Sequence, residues 1–339
     1  MRSCFRSLLA LTAGLAMATT AAAALAAGAP AFVKAAPLAA PDGKWDFTSW
    51  DGEHHRLLVA HGKDVLVIDP AAGTVKAMGD IAGAHAVLAI PGTDRLMVSS
   101  GHDDSVRILD ATTGAEVARI PAAGDPDAAL LSQDGRTAYV MGAKAGAVSV
   151  IDLAALKEVA RIALKPALEV PVLAGGVLAV NNEEAGEIEL ADLASGTAAG
   201  RIALPGCEGP TGMAYAPEAG LSLSTCANGK AALVDLKARR LVALLPIGLG
   251  PDTAIWDGAH HRFLVPCGKS GVLSVIVLDG RKPRVLPAVP TEASARTAAL
   301  DPQSGRLYLP AAQFAPGAAG KKPALIPGSF HILVLHPAQ

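Results

Sequence analysis

Apolar positions fall in short runs along the chain, each bounded by Gly, Pro, Asp or Asn. VLVIDPAAGTV (65–75) is representative: four apolar residues, an Asp, a turn containing Gly73, then a second short run. Runs of this length, rich in β-branched residues and closed by turn signals, read as strands buried on both faces. The phrase returns as VRILDATTGAEVARI (106–120), VSVIDLAALKEVARI (148–162), IELADLASGTAAGRI (188–202), ALVDLKARRLVALL (232–245) and VIVLDGRKPRVL (275–286). A last copy, HILVLHPAQ (331–339), stops short, with His336 in place of the Asp.

The anchors of these phrases are Asp69, Asp110, Asp152, Asp192, Asp235, Asp279 and His336. They recur about every 40 residues, except across an insertion before the last, and such a period with strand–turn–strand texture predicts a β-propeller. The expected fold is all-β: seven blades, each a four-stranded antiparallel sheet. In the third repeat, GDPDAALLSQDG leads into an inner strand, RTAYVMG is the second, VSVIDL the third and KEVARI the outer one. The repeated Asp closes the third strand, where a carboxylate accepts backbone N–H groups and starts the reversal, so its role reads as structural. The seventh repeat lacks an outer strand and would leave an open edge. AFVKAAPLAAPDGKW (31–45) matches EVARIPAAGDPDAA (116–129), which predicts that residues around 31–38 pair with residues around 329–336 and close the ring.

Composition agrees: 51% apolar, 4% aromatic, 35 Gly and 24 Pro in 339 residues suit many short strands and tight turns. The start, with Arg2 and Arg6 ahead of an apolar run and Ala24-Leu25-Ala26 after it, reads as a secretory signal over 1–26, cleaved to leave a single propeller domain over 27–339. A periplasmic or secreted monomer is expected. No later segment is long and apolar enough to span a bilayer. Without Arg2 and Arg6 the 29 bases fall further behind the 31 acids, and the scattered Lys and Arg offer no basic face for nucleic acid.

Third strands like VSVID followed by outer strands like EVARI, with loops such as GCEGPTGMAYAP (206–217), resemble the YVTN-type repeat. That repeat marks the YncE-like seven-bladed propellers of bacterial periplasms and surfaces. PAAQFAPGAAGKKPALIPGSFHILVLHP (310–337) likewise resembles their closing blade. The fourth repeat, PALEVPVLAGGVLAVNN, departs from the pattern by lacking the usual Pro-Asp-Gly turn. The resemblance implies the fold but not one activity, since related propellers include ligand binders, partner scaffolds, dehydrogenase subunits and lactone hydrolases.

Chemistry is then expected on the face built by the loops into the inner strands and those joining second to third strands. Aligning the lead-in loops places Asp46, His85, Asp127, Glu169, Thr211, Asp252 and Arg296 at one level, a ring at the channel mouth. Two carboxylates about 6 Å apart repel by about 3 kcal/mol at an effective dielectric near 20, so such a ring takes up a proton, a cation or a counter-charge. The ligand-binding candidates are Asp46, His85, Asp127, Glu169, Asp252 and Arg296, for a small polar ligand or a protein partner. A divalent cation is the cofactor to consider, held by the acids or by His61, His85 and His102 on neighbouring blades. The competing reading is a solvated, hydrogen-bonded channel mouth.

His54-His55 and His260-His261 sit in the paired phrases WDGEHHRLLV and WDGAHHRFLV, on first-to-second-strand turns of the opposite face. Repeat duplication alone can give two such turns, with metal binding there as the lesser reading. Of the cysteines beyond the signal, Cys207 with Cys226 is the favoured disulfide, closing a loop of about 20 residues for about 3 kcal/mol; Cys226 with Cys267 is the rival. Residues 311–328 form the longest irregular stretch, with Lys321 and Lys322 available to an anion. No nucleophile motif, phosphate-binding glycine loop or haem-attachment motif is present. The leading expectation is a binding or scaffold protein, the alternative a metal-dependent hydrolase of the lactonase sort, and the third a propeller subunit docking a redox partner.

Overall fold

The computed structural model describes residues 31–317 and 323–338; the expected signal segment, Lys321 and Lys322 lie outside them. Seven antiparallel sheets radiate from one axis. Blade 3 shows the pattern: Pro126–Leu131 innermost, then Thr137–Gly142, Ala147–Asp152 and Lys157–Ala163 outermost. Inner strands of successive blades touch around the ring, and the innermost strand of blade 7, Ala299–Leu300, meets that of blade 1, Thr48–Asp51.

The apolar core lies between blades. Seven clusters of buried residues each bridge one pair of neighbours. Alternation along a strand explains the unbroken apolar runs: in Arg56–Ala60, Leu57 and Val59 pack toward blade 7, while Leu58 and Ala60 pack toward blade 2. Each middle strand thus serves two interfaces.

The repeated Asp residues shape turns. Asp69 accepts the backbone N–H groups of Ala71 and Ala72 at 2.9 Å, and Asp152 does the same for Ala154 and Ala155. Backbone and Thr113 hydroxyl hydrogen bonds hold the Asp110 carboxyl below its ordinary range. On the opposite face the two His-His turns repeat one design. His54 Nδ1 lies 3.0 Å from Asp51, and His260 Nδ1 2.9 Å from Asp257, while His55 and His261 adopt φ of +51° and +46°.

The last blade closes with the N-terminal segment. Phe32–Lys34 pairs antiparallel with His331–Pro337, Phe32 opposite Pro337 and Lys34 opposite Leu335; Leu38 and Ala39 continue opposite Ile332 and His331. Blade 4 replaces the missing turn with Gly175-Gly176 between Leu168–Ala174 and Val177–Asn182. In blade 6 the third strand, Val272–Asp279, pairs with two outer pieces, Lys282–Val285 and Val289–Pro290, which absorbs the extra residues. Among the described residues no helix is long and apolar enough to cross a membrane.

Candidate functional site

Side chains reach the channel mouth through a repeated irregularity. In blades 2 to 5 the register between inner and second strands slips between Ala84 and Val87, Pro126 and Ala129, Leu168 and Pro171, and Pro210 and Met213. The first residue inside each slip is His85, Asp127, Glu169 or Thr211. A bulge re-aims its side chain, here out of the blade packing and toward the axis. In blade 6 the pairing of Pro251 with Cys267 repeats that of Pro210 with Cys226, so Asp252 takes the equivalent place. Asp46 of blade 1 is held by its N–H to Ala60 O at 3.0 Å, and its carbonyl accepts the Thr297 hydroxyl at 2.9 Å.

A chain of charges spans five blades. Arg296 Nε donates to Asp252 Oδ2 at 2.6 Å, and its outer nitrogen lies 3.6 Å from Asp46 Oδ1. Asp46 Oδ2 is 2.7 Å from His85 Nδ1, which is 3.7 Å from Asp127 Oδ1. The guanidinium also donates to Trp45 O at 3.0 Å and lies over the indole. Blades 6, 7, 1 and 2 are therefore paired with opposite charge.

The remaining arc is not. Asp127 Oδ1 is shut off from solvent without a hydrogen-bond partner. Glu169 has burial and the charges of Asp127, Asp252 and Glu183 against it, which push its carboxyl up to about 9. Burial, then Asp46, raise Asp127 to about 7, with His85 opposing. His85 itself is raised to about 9, chiefly by its hydrogen bond to Asp46. Burial also raises Asp252 against the pull of Arg296. Burial and mutual repulsion thus favour protons on this arc, and a bound cation would displace them.

Two cavities share the ring. One of about 580 Å³ runs between blades 1 and 2, walled by Asp46 and His85 at its inner end and by Trp45, His61, Ile81 and His102 beyond. The other, of about 360 Å³, is walled by Glu183, Thr211, Asp252 and Arg296. Pockets of this size with few converging polar groups suit small molecules.

The three histidines considered for a metal do not converge. His61 is buried, with Nδ1 2.7 Å from Asp64 and its ring 5.3 Å from Phe330. His102 lines the same cavity but belongs to no close ligand group; among the described residues that group is Asp46, His85 and Asp127, with donor atoms within 4.8 Å of one another. Thr211 donates to Pro251 O at 3.1 Å, an interblade tie. Cys207 and Cys226 form a disulfide, Cα atoms 5.3 Å apart, and Cys267 is a buried free thiol whose pKa burial raises. In the insertion of blade 7, Phe314–Ala315 pairs with Ala324–Leu325, and Trp45 packs on Phe314 and Phe330. Asp42 accepts the N–H groups of Gly328 and Phe330, fastening the end of that insertion beside the larger cavity.

Sequence reasoning missed Glu183 and Asp125. Both belong to loops on the mouth face, one residue past Asn182 and two before Asp127; treating every loop acid on that face as part of the ring would have found them.

Residues 52–170 match the family model of the YNCE-like beta-propeller, in keeping with the resemblance carried by the repeats. No curated protein matches the chain. Among solved structures it is similar to Kuenenia stuttgartiensis hydrazine synthase, at 17% identity over 87% of this chain and 97% of that one, with a TM-score of 0.71. It is also similar to the RRP9 WD40 repeats, at 10% identity over 90% and 100% of the two chains and a TM-score of 0.76. U3-55K matches at 10% identity over 89% and 98%, with a TM-score of 0.74. At these identities the likeness is one of fold alone.

Proposed function

We propose that this propeller is a binding module that holds a small, positively charged polar ligand at its channel mouth. The observation that carries the reading is the Asp127–Glu169 arc, where acids meet in a largely enclosed space and, among the described residues, Glu169 has no ion-pair partner. A cationic group set there would replace the protons the acids now hold, and the ligand's body would extend into the cavity of about 580 Å³. Low-dielectric walls strengthen such an attraction relative to water.

Export belongs to the proposal. The Cys207–Cys226 bridge, which persists outside the reducing cytoplasm, supports it alongside the Arg-led apolar start. The protein would act as a monomer.

Calorimetric titration with a panel of small amines and guanidines, each beside its neutral isostere, tests the reading. Saturable binding of at least one cation, absent for its isostere, is expected. Heats that do not distinguish cation from isostere anywhere in the panel would overturn it.

A further inference from the structure

We infer that Asp46, His85 and Asp127 form a site for one divalent metal ion of the zinc type. This rests on the reading of the mouth as a binding site and gives that site a specific inorganic occupant.

The donor set is one imidazole nitrogen and two carboxylate oxygens, which favours zinc, cobalt or manganese over the hard cations calcium and magnesium. Donors on a tetrahedral ion with bonds near 2 Å stand about 3.3 Å apart. His85 Nδ1 lies 2.7 Å from Asp46 and 3.7 Å from Asp127, so the observed spacings bracket that value. Asp127 Oδ1 makes no hydrogen bond that an ion would have to break.

The back of the imidazole supplies an independent observation. A Cβ at residue 101 would lie 2.7 Å from both His85 Nε2 and Asp125 Oδ1, so Gly101 leaves the room in which the ring takes its present orientation. Held this way, the ring keeps Nδ1 on the side of Asp46 and Asp127, where an ion would replace the proton it shares with Asp46.

The frame is also shared. Phe47 N–H donates to His85 O at 3.0 Å, tying the blade 1 and blade 2 donors together. Asp46 and His85 both line the larger cavity, which leaves the fourth position to water or to a ligand atom.

Protein stripped with chelator and titrated with cobalt(II) and zinc tests the inference. One equivalent of cobalt should give visible d–d bands that zinc then displaces. His85→Ala and Asp127→Asn should weaken binding at least 10-fold, while His61→Ala and His102→Ala leave it intact. Should His85→Ala fail to fold by circular dichroism, His85→Gln and Asp127→Asn serve instead. No stoichiometric binding, or binding that survives the His85 and Asp127 changes, would overturn the site. If metal fails but an organic cation still binds, the reading of the mouth stands without its metal; if neither binds, both fall.

Discussion

At the scale of single residues, the mouth separates groups by what neutralises them. Asp252 has Arg296 and Asp46 has His85, whereas the charges bearing most on Glu169 are those of Asp127, Asp252 and Glu183. The pH consequence has a definite sign. Glu169 and His85 are raised to about 9 and Asp127 to about 7, so the folded state holds protons that the unfolded chain has released at lower pH. Stability therefore falls as pH rises toward 9. Acids held below their ordinary values, such as Asp110 and Asp235, act in the other direction but only near and below about pH 4. In chelator-containing buffer, urea unfolding should show lower stability at about pH 9 than at about pH 5, and Glu169→Gln should flatten that decline. An unchanged decline in the variant would show that Glu169 is not one of its sources. These pairings were not legible in the sequence. Alignment put the ring residues at one level, but whether an acid meets Arg296, a histidine or another acid depends on spacing across the axis.

At the scale of the element, one turn recurs ahead of six of the seven inner strands, blade 1 being the exception. Two residues before the ring position, Gly83, Asp125, Ala167, Gly209, Gly250 and Ser294 all have φ between +55° and +83°. Glycine adopts this conformation freely, and other residues pay about 1 kcal/mol or more for it. The strain at Asp125 thus belongs to the blade design and is not by itself a sign of function. Ala167→Gly is expected to stabilise the protein by up to about 1 kcal/mol, the relief of the positive φ outweighing the extra freedom glycine gives the unfolded chain. Equilibrium denaturation checks this, and a loss of stability would mean that the Ala167 methyl packs usefully. The strand order within a repeat was legible because turn residues and apolar runs alternate regularly. The bulges were not, since a slip of one residue leaves no mark in a run such as LEVPVL.

At the scale of the whole molecule, seven interfaces share the core and the ring depends on one non-local closure. Phe32 is 1% exposed within the interface of blades 6 and 7, with Arg262 4.5 Å above its ring. Phe32→Ala should cost about 3 to 5 kcal/mol and loosen the N-terminal strand, seen as lost amide protection at residues 331–337. A cost below about 1 kcal/mol would mean that the ring does not need this strand. The closure was legible because two truncated patterns at opposite ends of the chain complete each other. The phrase VLVIDPAAGTV counts blades, and the bulged starts of the inner strands between its copies, whose residue types the repeat does not dictate, hold the charged mouth. The most direct measurement of that claim is calorimetric titration of an organic cation that binds the wild type, repeated on the Asp127→Asn/Glu169→Gln double variant. At least 10-fold weaker binding in a folded variant is the predicted result, and unchanged affinity would contradict it.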